Sequence, residues 1–124
     1  MSLRSRQSSR AYARGVDAET AACLALADRG WTILARRLRT EAGEIDIIAA
    51  KPELLAIIEV KARPTLADAA LALNARQRDR LLAATEIVLA AHPDWARPGI
   101  RYDLVVVDAA GTVRRIADAF RLEN

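Results

Sequence analysis

Two apolar runs separated by a short polar break dominate the pattern of this chain. Gly43-Glu44-Ile45-Asp46-Ile47-Ile48-Ala49-Ala50 and Leu55-Ala56-Ile57-Ile58-Glu59-Val60-Lys61-Ala62-Arg63 are each the length of a strand and rich in β-branched residues. Lys51-Pro52-Glu53 between them is polar and holds a proline, so the pair predicts an antiparallel hairpin. A turn centred between Pro52 and Glu53 sets Lys51 opposite Leu54 and, further along, Asp46 opposite Glu59. Side chains alternate along a strand, which puts Glu59 and Lys61 on one face and Ile58 and Val60 on the other. By the same rule Asp46 shares its face with Glu44 and Ile48.

The remaining pattern supplies the elements around the hairpin. An alanine-rich helix is expected from Asp17 or Ala18 to Arg29, with Asp17 as N-cap and Gly30 as the C′ residue that stops it. Trp31 to Leu38 reads as a strand that ends in a basic cluster, and a loop through Thr40, Glu41 and Ala42 leads to Gly43, a residue suited to a tight turn or bulge. After Pro64, Thr65 to Asp68 opens a short helical turn through Leu73, and Asn74 is a candidate N-cap for a longer helix over Arg76 to Ala91. Leu81, Leu82, Thr85, Val88 and Leu89 form the expected buried face of that helix. His92 to Gly99 is a loop. Ile100 to Val107 is a strand whose Leu104-Val105-Val106-Val107 run predicts burial on both sides, and Val113 to Ala119 follows as an edge strand after a turn at Gly111-Thr112. The order predicts an α/β fold with a mixed central sheet flanked by helices.

Composition narrows the function classes. The 124 residues suffice for one domain with its own core, placed at 15–124 after a flexible basic arm over 1–14. Neither a transmembrane helix nor a signal peptide is visible in the pattern, so a cytoplasmic location without a membrane partner is expected. Cys23 is the only cysteine and His92 the only histidine, which argues against a disulfide, a Cys/His zinc site and a Ser-His triad. The net charge is only +3, but of the 19 basic residues all except Lys51 and Lys61 are arginine. They cluster at Arg4, Arg6, Arg10 and Arg14, at Arg36, Arg37 and Arg39, and at Arg76, Arg78 and Arg80. Arginine suits bidentate phosphate contact, though its abundance also follows from a GC-rich genome.

The chemistry sits in the charges that interrupt the apolar hairpin. Two opposed carboxylates about 4.5–5.5 Å apart at Cβ repel one another, so Asp46 and Glu59 call for a positive partner. Lys61 supplies one, and a divalent cation such as Mg²⁺ held by carboxylates, a carbonyl and waters supplies more. The competing reading is a solvated edge hairpin with cross-strand salt bridges. The surrounding isoleucines weigh against it, because charges buried among them need partners or a metal. Glu19 lies on or beside the apolar stripe of its helix, where a first-turn acid also gains from the helix dipole.

Taken together, these motifs resemble the YraN-type family, small bacterial proteins grouped with the PD-(D/E)xK, restriction-endonuclease-like and Holliday-junction-resolvase-like nucleases. The resemblance rests on Gly15 to Ala22 with its helical Glu19, on Trp31 to Arg36, on Gly43 to Ala49 and on Ile58 to Arg63, with looser matches at Arg76 to Arg78 and Tyr102 to Val105. It implies an αβββαβ core, Asp46 and Glu59 as ligands of Mg²⁺ or Mn²⁺, and Lys61 as the group that orients or activates a water. It also implies Glu19 on a metal or its water shell and Gln77 as an auxiliary residue. Arg37 and Arg76 stand where the family often has asparagine and lysine. The function implied is metal-dependent hydrolysis of phosphodiester bonds in DNA, with branched or damaged structures among the candidate substrates. Arg36, Arg37, Arg39, Arg63, Arg76 and Arg80 are the expected nucleic-acid contacts, on a monomer or a homodimer. Two alternatives stand beside it: a nucleic-acid-binding module that keeps the fold without turnover, and a protein that recruits partners through a sheet edge.

Overall fold

A computed structural model describes residues 17–64, 75–117 and 119. The expected basic arm, the helical turn after Pro64 and the Asn74 cap lie outside these residues. Helix α1 covers residues 17–28, and Asp17 already lies inside it rather than capping it. The helix stops as expected at Gly30, whose φ of +88° lets its N–H reach the Ala27 carbonyl at 3.1 Å while the Trp31 N–H reaches that of Leu26 at 3.1 Å. Such paired capping needs the left-handed backbone that glycine adopts without a side-chain clash.

Strands β1 (Thr32–Thr40), β2 (Gly43–Lys51) and β3 (Leu54–Ala62) form an antiparallel meander. Helix α2 (Ala75–Ala91) then crosses over to β4 (Gly99–Val107), which lies parallel to β3, and β5 (Val113–Ile116) closes the far edge. The five strands stand in chain order in one mixed sheet, and the αβββαβ order matches the expected restriction-endonuclease-like core. Parallel neighbours need a long crossover, which is the task of α2.

The sheet is covered on both faces. Ile47 and Ala49 of β2 pack with Ala22, Cys23 and Leu26 of α1, whereas Ile48 and Ala50 pack with Leu81, Ala84 and Val88 of α2. Leu81, Thr85 and Val88 are buried as expected; Leu82 and Leu89 are only half-buried, and Ala84 takes the close-contact position instead. Burial on both faces explains why the strands read as nearly continuous apolar runs. The buried run in β4 likewise follows from its place between β3 and β5.

Two strand ends differ from the sequence expectation. β1 runs to Thr40, so the basic cluster lies within the strand and not at its end. Its turn is a tight one over Glu41 and Ala42, with Thr40 paired to Gly43 and the Thr40 hydroxyl accepting from the Ala42 and Gly43 N–H groups at 3.1 Å each. β5 ends at Ile116 rather than Ala119.

Candidate active site

The β2–β3 register is the expected one, with Lys51 opposite Leu54 and Ile47 opposite Ile58. The ladder stops there, one residue short of Asp46 and Glu59. On its other side β2 pairs Ile47 with Arg36 and Ile45 with Leu38, again passing over Asp46. Asp46 is therefore skipped by both neighbouring strands. Its Oδ2 instead accepts the main-chain N–H of Val60 at 2.8 Å, which satisfies a β3 donor that the ladder leaves unpaired.

The break also changes which way β2 faces. Ile45 and Ile48 both join the cluster under α2, although residues three apart on a regular strand point to opposite faces. The expected common face for Glu44, Asp46 and Ile48 is thus corrected: alternation is interrupted between Ile45 and Ile48. A second irregularity stands level with it on β1, where Arg37 has a φ of +49°. Arginine avoids this region because of its Cβ.

Glu59 is buried, and its Oε1 lies 3.1 Å from Lys61 Nζ, as the shared strand face predicts. Glu19 is buried in α1, where its two oxygens meet Arg36 Nε at 3.3 Å and Arg37 Nε at 3.2 Å. The Arg36 Nη2 also donates to the Thr20 hydroxyl at 3.1 Å. The acids share one electrostatic neighbourhood. Burial above all, then the Glu59 charge, pushes the Asp46 carboxyl up to about 7; Glu19 adds to the rise, while the Val60 N–H and Lys61 oppose it. Burial also raises the Cys23 thiol, against the pull of Arg36.

Among the described residues, no three His, Cys, Asp or Glu side chains converge as a set that could hold a metal ion. The expected trio of Glu19, Asp46 and Glu59 is near enough to interact but does not close. The reason is local: Glu19 is held by two arginines. Asp46 and Glu59 still suit a hard divalent cation, since both are oxygen donors and their mutual repulsion is incompletely offset by Lys61.

The expected nucleic-acid contacts divide by place. Arg36, Arg37 and Arg39 lie on β1; Arg39 is 3.5 Å from Glu44 and open to solvent. Arg76 and Arg80 are exposed on the first turns of α2, with Gln77 half-buried between them. Arg63 donates from Nη1 to the Ala62 carbonyl at 2.8 Å and lines a cleft with Asp17, Ala18, Val107 and Asp108. Arg80 lies across the first hairpin, its Cδ only 2.6 Å from where a Cβ on Gly43 would stand.

A second charged cluster was not expected from the sequence. Asp103 is buried in β4 and accepts from Arg101 Nε and Nη2 at 2.8 Å each, with Arg115 Nη1 at 3.9 Å. Arg101 and Arg115 also lie over the buried Trp31 ring, at 5.7 and 5.8 Å from its centre. The i, i+2 spacing of Arg101 and Asp103 is the one local signal of this pair.

Residues 18–107 match the sequence model of the uncharacterised protein family UPF0102. A UPF0102 protein of Granulibacter bethesdensis is 60% identical over 110 residues, which span 89% of this chain and 70% of that protein. A relative in Azorhizobium caulinodans is 44% identical over 119 residues, covering 96% of this chain and 91% of its own, and one in Acidiphilium cryptum is 45% identical over 115 residues, covering 93% and 89%. Both bear the same family name.

Proposed function

This chain belongs to the uncharacterised protein family UPF0102, and from that premise we propose that it is a metal-dependent endonuclease hydrolysing phosphodiester bonds in DNA. One observation carries the reading. At the one position of β2 that both neighbouring strands pass over stands a half-buried aspartate, Asp46, whose carboxyl is raised by desolvation and by the Glu59 charge, with Lys61 in ion-pair contact with that glutamate. Groups whose titration is shifted by desolvation and by a specific charged neighbour cluster at functional sites, which is what supports this reading.

Asp46 and Glu59 would hold Mg²⁺ or Mn²⁺, which when bound polarises the phosphoryl oxygen and favours ionisation of a water. The Val60 N–H fixes Asp46 through Oδ2 and leaves Oδ1 for a ligand. Lys61 Nζ lies 3.1 Å from Glu59 Oε1 and would orient the attacking water and stabilise negative charge as the phosphate is attacked. The arginines of β1 and the start of α2 offer donors to flanking phosphates. Branched or damaged DNA belongs among the substrates to be tried.

The test is cleavage of a panel of linear, nicked and branched DNAs with Mg²⁺ or Mn²⁺, by the wild type and by Asp46→Ala. Cutting by the wild type alone is expected; cutting that survives the substitution would assign the activity elsewhere. A second reading, DNA binding without turnover, is favoured by the engagement of Glu19 with arginines and the unclosed acidic trio. It predicts tight, salt-sensitive binding that is indifferent to metal.

A further inference from the structure

Arg36 and Arg37 are consecutive residues of β1, and consecutive side chains of a regular strand point to opposite faces. Both nevertheless reach the Glu19 carboxylate, at 3.3 and 3.2 Å. The left-handed backbone of Arg37, with φ +49°, is the departure from regular strand that makes this possible. An arginine held in a region that side chains avoid, so as to place two guanidinium groups on one anion, points to a function for the pair.

The pair differs from the other arginine–acid contact in the sheet. Arg101 grips Asp103 with two bonds of 2.8 Å, within the range of about 2.7–2.9 Å for charge-assisted bonds. The Glu19 contacts are longer by several tenths of an ångström. The acid lies beneath, with its side chain 7% exposed, while the two arginine side chains above it are 42% and 37% exposed. A second anion arriving from solvent therefore meets the guanidinium groups first. Because Arg36 faces Ile47 and Leu38 faces Ile45, Arg37 stands level with Asp46, so that anion would arrive beside the acidic pair.

We propose that Arg36 and Arg37 form a seat for a backbone phosphate of DNA, that Glu19 occupies this seat in the absence of DNA, and that phosphate binding displaces it. Carboxylate and phosphate offer arginine the same oxygen chemistry, so the exchange replaces one charge-assisted pair by another. The inference rests on the nuclease reading for its consequence. Released from the arginines, Glu19 already lies within electrostatic reach of Asp46 and supplies the third carboxylate that the resting site lacks. The acidic site is thereby completed by the substrate, and cation binding and DNA binding reinforce each other.

Anisotropy of a short labelled DNA duplex, measured in EDTA to remove cleavage and metal, tests the exchange. Glu19→Gln is expected to bind severalfold tighter than the wild type, and this gain to vanish in an Arg37→Ala background. Asp46→Asn also removes a negative charge, but its gain is expected to persist in that background. Equal or weaker binding by Glu19→Gln, or a gain that survives Arg37→Ala, would overturn the proposal. The wild type gives an independent readout through the Nε–H resonances of Arg36 and Arg37, which should move as duplex is added; resonances that stay in place at saturation overturn the exchange even if the variants do not fold. Failure of the two readings is distinguishable. Coupled binding without any metal-dependent cutting rejects the nuclease and retains the seat, whereas cutting with uncoupled binding rejects the seat alone.

Discussion

Asp46, half-buried beside Glu59, is the residue whose charge works against the fold. Its carboxyl is raised from 3.8 to about 7, so over that interval the folded chain holds a proton that the unfolded chain has released. Stability therefore falls as pH rises from about 4 to about 7, by at most roughly 1.4 kcal/mol per pH unit, and stays at the lower level above that. Asp46→Asn keeps an oxygen acceptor for the Val60 N–H and removes the charge. In metal-free buffer at pH 8 it is expected to be more stable than the wild type by on the order of 2 kcal/mol, with the difference shrinking toward pH 4. Urea melts at the two pH values check this, and the same variant should have lost cleavage. Asp103 presents the opposite case. Asp103→Ala leaves Arg101 and Arg115 facing a buried site without its carboxylate, and a loss of about 3–5 kcal/mol is expected in the same melts.

At the scale of elements, Gly43 ties the first hairpin to α2. Its φ of +138° and the overlying Arg80 stem each oppose a side chain, the first through backbone strain and the second through overlap. Gly43→Ala is expected to cost about 1–3 kcal/mol. Adding Arg80→Ala should recover only the overlap, so the double variant remains less stable than Arg80→Ala alone; a thermal-melt cycle separates the two parts. The strands and the two long helices among the described residues were readable from the pattern, and so was the β2–β3 register, whereas the 3-10 helix Pro93–Trp95 inside the expected loop was not. A proline-bearing polar break between two β-branched runs leaves little choice of turn, and a one-residue slip would have reversed every isoleucine. The gap at Asp46 was not readable, because it arises from how three strands meet and not from any property of β2. Nor was the joining of Glu19 to Arg36 and Arg37, which lie 17 and 18 residues away and approach only once α1 is packed on the sheet. Acids and arginines could be named individually; whether an acid faces a cation, an amide or another acid is decided by tertiary structure. Ala84 escaped notice for a related reason, since its small side chain matters only through the closeness of helix to sheet.

For the molecule as a whole, the arginines of β1 and α2 should act together on a polyanion. If Arg76 contacts a phosphate, Arg76→Ala should weaken DNA binding evenly across sequences and reduce the slope of log affinity against log salt by about 1, as read from anisotropy titrations. An unchanged slope would remove Arg76 from the interface. No helix among the described residues is long and apolar enough to cross a membrane. The sheet's outer strands carry one more consequence. β1, at one margin, is interrupted by a register shift between Ile33 and Ala35 and by the turned backbone of Arg37, and it bears three arginines. β5, at the other, has four residues, two of them Arg114 and Arg115. A neighbouring copy seeking to zip its own backbone onto either rim meets kinks and like charge, so the fold resists stacking into ribbons even where crowding brings many copies together.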